Sequence, residues 1–210
     1  MKCYAFLGIQ GSGKGTQAEK LSNELDYQHI NIGDLFRYHI KAQTAIGIQV
    51  KDIIHRGELV SDELVFDLIK ESISPQAQGI IFDGFPRTIA QAQHLLKYFQ
   101  LIRVFYLDLP EEIAIERISA RRICRDCQQN YNLNMQRPKV EGICDQCGGK
   151  LMIRQDDSPE AIHKRFLEFY EQTSPLREFF EQSNLLSVIK AKHSIEDIFA
   201  QIMAEVRSEQ

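Results

Sequence analysis

Apolar positions along this chain fall into two kinds of run that alternate. Lys2 to Leu7, Gly79 to Asp83 and Leu101 to Leu107 are short and nearly continuous in apolar residues. They are too short for helices and suit strands buried on both faces. Between the runs, spacings of three and four predict helices: Lys14 to Leu25 carries Ala18, Leu21 and Leu25 on one face. A short strand near Gln28 to Ile32 follows. Helical patterns come next over Leu35 to Ala42, Ile46 to Ile54 and Asp62 to Ser72, the last with Ser61 and Asp62 as N-cap candidates. Thr88 and Gln91 read as a capping box for a helix with the stripe Ile89, Ala92, Leu95, Leu96 and Phe99, and Pro110 marks another helix start. Ser158-Pro159-Glu160 begins a helix that Pro175 breaks, Leu185 to Ile189 reads as the last strand, and Ser194 caps a final helix.

Five strands separated by helices predict an α/β fold with a doubly wound five-stranded parallel sheet. Periodicity lapses from Ile123 to Asp157. The expected organisation is therefore a core of residues 1–122 and 158–210 with residues 123–157 inserted.

Composition closes several routes. With 43% hydrophobic and 26% charged residues over 210, the chain is neither disordered nor of low complexity. No apolar run approaches the roughly 20 residues of a bilayer span. The first apolar run meets Gln10 and a glycine cluster with Lys14 instead of a cleavage site, so a cytoplasmic protein is expected. A net charge of −4 argues against bulk attraction to nucleic acid or to a membrane, so any anion site is local.

One such site is legible in Gly8-Ile9-Gln10-Gly11-Ser12-Gly13-Lys14-Gly15-Thr16, between the first strand and the first helix. Glycines let successive N–H groups curl toward one point at a helix N-terminus, which suits phosphate, and Lys14 adds a charge for the outer phosphates. The usual pattern has Ser or Thr directly after the Lys, whereas here Gly15 intervenes. Asp83 ends a buried strand, where a carboxylate either caps the next turn or holds water on Mg²⁺. Arg37, Arg87, Arg117, Arg121, Arg154 and Arg165 stand at junctions between elements. Taken singly, each is a surface charge, but together they can supply the fixed donors that phosphoryl chemistry needs.

The cysteines give a second signal. Cys124-x2-Cys127-x16-Cys144-x2-Cys147 offers four thiolates that can converge on Zn²⁺ in a structural site, with an empty reduced site or iron as the alternatives. Cys3 reads as a small buried hydrophobe, and the six histidines show no ligand spacing.

Gly-Lys-Gly-Thr-Gln at residues 13–17 is how adenylate kinases write the phosphate loop, and the chain resembles that family, in its long-lid bacterial form, over nearly its whole length. The resemblance rests also on Gly33-Asp34-Leu35-Phe36-Arg37, Gly57-Glu58-Leu59-Val60, Asp83-Gly84-Phe85-Pro86-Arg87, Arg117, Arg121-Arg122, the four cysteines, Arg154-Gln155-Asp156-Asp157 and Arg165. It implies Mg²⁺-dependent transfer from ATP to AMP, giving two ADP, by a monomer. ATP would lie on Gly11, Ser12, Gly13, Lys14, Gly15, Thr16, Arg117 and Arg121. AMP would lie on Ile32, Arg37, Val60, Gly84, Arg87, Gln91, Arg154 and Arg165, with helices about 31–60 forming its platform. Lys14, Arg87, Arg121, Arg154 and Arg165 would be catalytic, Asp83 would act through water on Mg²⁺, and the cysteine module would be a zinc-ribbon-like lid. Gln91 would read adenine through its amide, a role that competes with its place in the capping box.

Three positions depart from the family pattern: Ile32 stands in place of Thr, Gln10 in place of Pro, and Lys190-Ala191 in place of Asp-Gly. They bear on base selectivity and keep in view a related kinase acting on UMP or CMP, or using GTP. A nucleotide switch whose ribbon binds nucleic acid or protein is the reading from another class. The acidic balance, the ribbon's Asp126, Glu141 and Asp145, and the lack of an aromatic platform beyond Tyr131 weigh against it.

Overall fold

The computed structural model describes residues 1–209. Its elements run β1 (Lys2–Leu7), α1 (Lys14–Leu25), β2 (Gln28–Asn31), α2 (Ile32–Lys41), α3 (Ala45–His55), α4 (Asp62–Ser72), β3 (Gly79–Asp83), α5 (Ile89–Tyr98), β4 (Gln100–Asp108) and α6 (Glu111–Ser119). Then come β5 (Arg121–Cys124), β6 (Asn130–Asn132), β7 (Leu151–Met152), α7 (Pro159–Glu168), a π-helical turn at Phe169–Thr173, α8 (Leu176–Gln182), β8 (Leu186–Lys190) and α9 (Ile195–Ser208).

Five strands form one parallel sheet in the order β2-β3-β1-β4-β8, the doubly wound arrangement expected. The three strands at its centre are the continuous apolar runs. Phe6, Ile80, Ile81, Phe82 and Phe105 are fully buried, because helices cover both faces of the sheet. Among the described residues, no helix is long and apolar enough to cross a membrane.

The boundaries that differ from the sequence reading do so for local reasons. β2 ends at Asn31 and α2 starts at Ile32, three residues earlier than the Leu35 pattern suggests, because the Asn31 side chain caps the helix by accepting from Asp34 N–H at 2.9 Å. Ser61 is the N-cap residue of α4, but its hydroxyl makes no cap bond there. The box at α5 is half formed. Thr88 Oγ1 accepts from Gln91 N–H at 3.1 Å, whereas Gln91 Oε1 takes the N–H of Arg87 at 2.7 Å, one residue ahead of the cap.

The aperiodic stretch folds into a small antiparallel sheet in the order β6-β5-β7, with strands of two to four residues. Such strands are too short to show a period of two. Cys124, Tyr131 and Cys144 form a separate small core there, with Leu151 packed against it.

Candidate functional site

The first strand turns into the first helix through a loop that only glycine can complete. Gly13 caps α1 at φ 94°, and a Cβ on Gly8, at φ 134°, would lie 2.5 Å from the carbonyl oxygen of Leu107. Lys14 folds back over this loop and donates to the carbonyls of Gly8 at 2.7 Å and Ile9 at 2.9 Å. Burial pulls its ammonium down to about 8 against the partial support of Asp83, and the nearby guanidiniums pull the same way.

Loop residues 11–16, Asp83, Gly84 and all six arginines picked out from the sequence line one cleft of about 880 Å³. Carboxylates hold the cations apart. Arg37 donates to Asp34 at 2.5 Å and to Asp156 at 3.4 Å, and Arg121 grips Asp157 with two donors. Arg165 donates to Asp157 Oδ1 at 3.1 Å and to the Asp156 carbonyl at 2.9 Å. Arg87 donates to the Gly84 carbonyl at 2.9 Å, Arg154 to Asn130 Oδ1 at 2.6 Å, and Arg117 to the Ala191 carbonyl at 2.9 Å.

The cations outnumber these carboxylates, and two buried donors, Arg37 Nε and Arg154 Nε, have no partner. Burial and the neighbouring cations pull Arg87 down to about 10, with Arg165 foremost among them, and Arg154 down to about 9, with Arg37 and Arg121 foremost. Both remain charged at neutral pH. A half-buried wall of this kind suits a ligand with several negative charges.

Asp156 shows the same field from the other side. Burial would raise its carboxyl, yet Arg165, Arg37, Arg154 and Arg121 together hold it at about 2 against an ordinary 3.8. Because its folded value is depressed, its contribution to stability, about 2 kcal/mol, is complete above pH 3.8 and is lost as pH falls through about 2. Asp156→Asn is therefore expected to be less stable than the parent chain at pH 5, with the gap closing toward pH 2 in denaturant titrations. A gap constant across that range would remove Asp156 from the cluster's charge balance.

Three residues expected at the acceptor nucleotide lie outside the cleft wall. Ile32 and Val60 are buried in the core, and Gln91 is 2% exposed. The amide of Gln91 is already paired, with Nε2 donating to Asp62 Oδ1 at 2.6 Å and Oε1 accepting from Arg87 N–H. A buried amide must find partners, and here it finds them inside the protein. Gly33, Gly57 and Leu59 line the wall near that position instead.

Other residues in the site were not picked out from the sequence. Asn31 uses both ends of its amide, capping α2 with Oδ1 and donating through Nδ2 to Asp83 Oδ2 at 2.5 Å. A polar residue before a helical run is a legible cap signal. Its second bond crosses strands β2 and β3 and is not legible. His29 also lies on the cleft wall, with Nε2 4.0 Å from Asp83 Oδ2. Lys41 at the end of α2 donates to the carbonyls of Arg125 at 3.2 Å and Asp126 at 3.5 Å, joining that helix to the cysteine module.

The four cysteine sulfurs lie within 4.8 Å of one another, with Cys124 and Cys147 3.4 Å apart and Cys127 and Cys144 3.6 Å apart. All four are free thiols. Sulfurs about 2.3 Å from a tetrahedral zinc sit roughly 3.8 Å from each other, so this donor set and spacing fit the metal. Against its burial, bonds from Tyr131 and from backbone N–H groups pull the Cys144 thiol down to about 6.

Comparison with known proteins agrees with this geometry. The family model described as adenylate kinase matches residues 6–185. The chain is 43% identical to an adenylate kinase of Carboxydothermus hydrogenoformans over 204 residues, covering 94% of this chain and 95% of that one. It is 44% identical to an adenylate kinase of Treponema denticola, covering 95% and 96%. A protein of the same name from Methanocella arvoryzae is 40% identical, covering 97% and 98%.

Proposed function

Since this chain belongs to the adenylate kinase family, and is thus a nucleoside monophosphate kinase, we propose that its cleft transfers the terminal phosphoryl group of ATP to AMP, giving two ADP. The observation that carries this reading is the convergence of Lys14 and six arginines on one cleft beside the phosphate loop. An oxygen of the acceptor phosphate attacks the γ-phosphorus, and the bond from that phosphorus to the β–γ bridging oxygen breaks. The attacking oxygen is already ionised at neutral pH. No general base is needed, and catalysis is positioning and charge stabilisation.

Loop residues 11–16 would cradle the donor phosphates, with Arg117 beside the donor base. Arg37 and Arg87 would hold the acceptor phosphate, and Lys14, Arg121, Arg154 and Arg165 would surround the transferred group. Mg²⁺ bound with the nucleotide would supply neutralisation of the phosphate charge. Asp83, a buried carboxylate on the cleft wall, would hold it through water.

Residues 123–157 would act as a lid that excludes water, the competing acceptor. Cys124, Cys127, Cys144 and Cys147 would hold zinc there in a structural role. The hinges would lie near Arg121 and Asp157, which the paired bond between those two side chains ties together.

Adenine recognition by Gln91 requires its amide to release Asp62 or Arg87 N–H, or to use its remaining proton and lone pair. The test is steady-state kinetics with AMP, UMP and CMP against ATP and GTP. AMP with ATP is expected to give the highest kcat/KM, because a site that hydrogen-bonds the base leaves polar groups unpaired with the wrong one. Equal values for AMP and CMP would overturn the adenylate reading and leave the kinase one standing. No turnover with any pair would favour the nucleotide switch.

A further inference from the structure

Tyr131 is the one aromatic residue among residues 123–157, and the proposed chemistry does not use it. It is 5% exposed and packs in the module's own small core with Cys124 and Cys144. Its hydroxyl oxygen accepts from the backbone N–H of Asp145 at 2.7 Å and lies 3.4 Å from Cys144 Sγ. A phenol has one proton, and with its oxygen accepting from Asp145 that proton is available for the sulfur.

The two Cys-x2-Cys knuckles explain why a side chain stands there. In the first, the N–H that follows Cys124, that of Arg125, bonds to the Lys150 carbonyl at 2.9 Å. In the second, the N–H that follows Cys144, that of Asp145, has the Tyr131 hydroxyl where the first knuckle has a carbonyl. A carbonyl can only accept, whereas a hydroxyl that accepts on one side can donate on the other. The second knuckle thereby gains a donor aimed at its sulfur.

We infer that Tyr131 is a positioning residue of the lid's metal site, whose O–H···S bond orients the Cys144 thiolate and strengthens the hold of the four sulfurs on a divalent cation. The inference rests on the zinc reading of the cysteine cluster. Four thiolates around one divalent ion leave two negative charges in excess, and a donor to one sulfur relieves that excess where it is greatest. Partners of this kind, lying beyond the ligands, are worth about 10- to 100-fold in metal affinity.

The experiment uses the full chain. Metal analysis of protein purified without chelator comes first, and absence of zinc there defeats the zinc reading itself. With zinc present, competition against a chromogenic chelator is expected to show Tyr131→Phe binding zinc about 10- to 100-fold more weakly. Phe keeps the ring that packs the core but leaves the Asp145 N–H without its acceptor, so a purely structural role would weaken binding without changing the electron density on the Cys144 sulfur. Cobalt(II)-substituted protein supplies the second reading: the sulfur-to-metal charge-transfer band should move to longer wavelength in Tyr131→Phe, because a thiolate that has lost a hydrogen bond gives up an electron more easily. If Tyr131→Phe does not fold, protein carrying 3-fluorotyrosine, a stronger donor, should shift the band the opposite way. With zinc present, a band position unchanged by the substitution, whatever the affinity does, or a band unmoved by fluorination, would overturn the inference.

Discussion

Lys14→Met is expected to yield a folded protein whose kcat falls by about 10²- to 10³-fold. The fold survives because Lys14 ties only the loop, through the carbonyls of Gly8 and Ile9 and the Ser12 hydroxyl, while the sheet beneath is held by buried strands on either side of β1. The rate falls because a preorganised charge beside the transferred group stabilises the transition state more than the ground state. A pH signature accompanies the loss. With its ammonium drawn down to about 8 by burial, Lys14 is neutral above that pH in the free protein, and phosphate binding must then restore its proton. ATP affinity should therefore weaken as pH rises through 8, by up to about tenfold per unit, and this dependence should be absent in Lys14→Met. A folded variant that keeps more than about a tenth of the parent kcat would sink the assignment of Lys14 to the phosphate loop's chemistry.

Removing zinc is expected to unfold the lid and leave the core standing. A module of about 35 residues cannot bury enough surface to be stable alone, and below roughly 40 residues a staple is usually required. Here the module's separate core consists of Cys124, Tyr131 and Cys144 with Leu151 against them, so two of its four members are themselves proposed ligands. Zinc bound by four thiolates contributes on the order of 10 kcal/mol in isolated peptides. Its loss should melt residues 123–157 locally while the parallel sheet keeps its cooperative transition. Loosening the lid would also displace Arg154, which is anchored to Asn130 inside the module, and would free the Lys41 contacts to the first knuckle. Chelated protein, and Cys127→Ser, should accordingly lose most transfer activity yet still bind ATP at the phosphate loop. Calorimetric scans of the chelated protein should keep the core's transition but show a smaller total unfolding enthalpy than the zinc-loaded chain. Parent-like melting and activity in Cys127→Ser would leave the lid's stability resting on something other than the metal.

How far each part of this molecule was legible follows from the range of the interactions involved. β1, α1, α4 and β3 appear in the structure with the bounds expected, since a period of 3.6, or a continuous apolar run closed by glycine, is a local property of the chain. The phosphate loop and the cysteine knuckles were legible for the same reason: their spacing is itself the chemistry. The six arginines could be picked out, but the pairing of Arg37, Arg121 and Arg165 with Asp156 and Asp157 could not, because Arg37 meets Asp156 across 119 positions and Arg121 meets Asp157 across 36.

Gln91 marks the boundary between the two kinds of information. Its capping bond to Thr88 is three residues long and was expected, while the pairing with Asp62 that fills its amide spans 29 and was not. The lid's strands, two to four residues each, carry too little pattern to declare themselves, and the Tyr131 hydroxyl is placed by a pairing of β6 with β5 that no local period announces. Sequence by itself thus determined which groups the protein brings to its chemistry, because spacing along a helix or a loop is set by covalent geometry. Only the tertiary structure decided how those groups are partnered, because partners distant in the chain are chosen by the burial that excludes water and obliges each charge and each amide to find another.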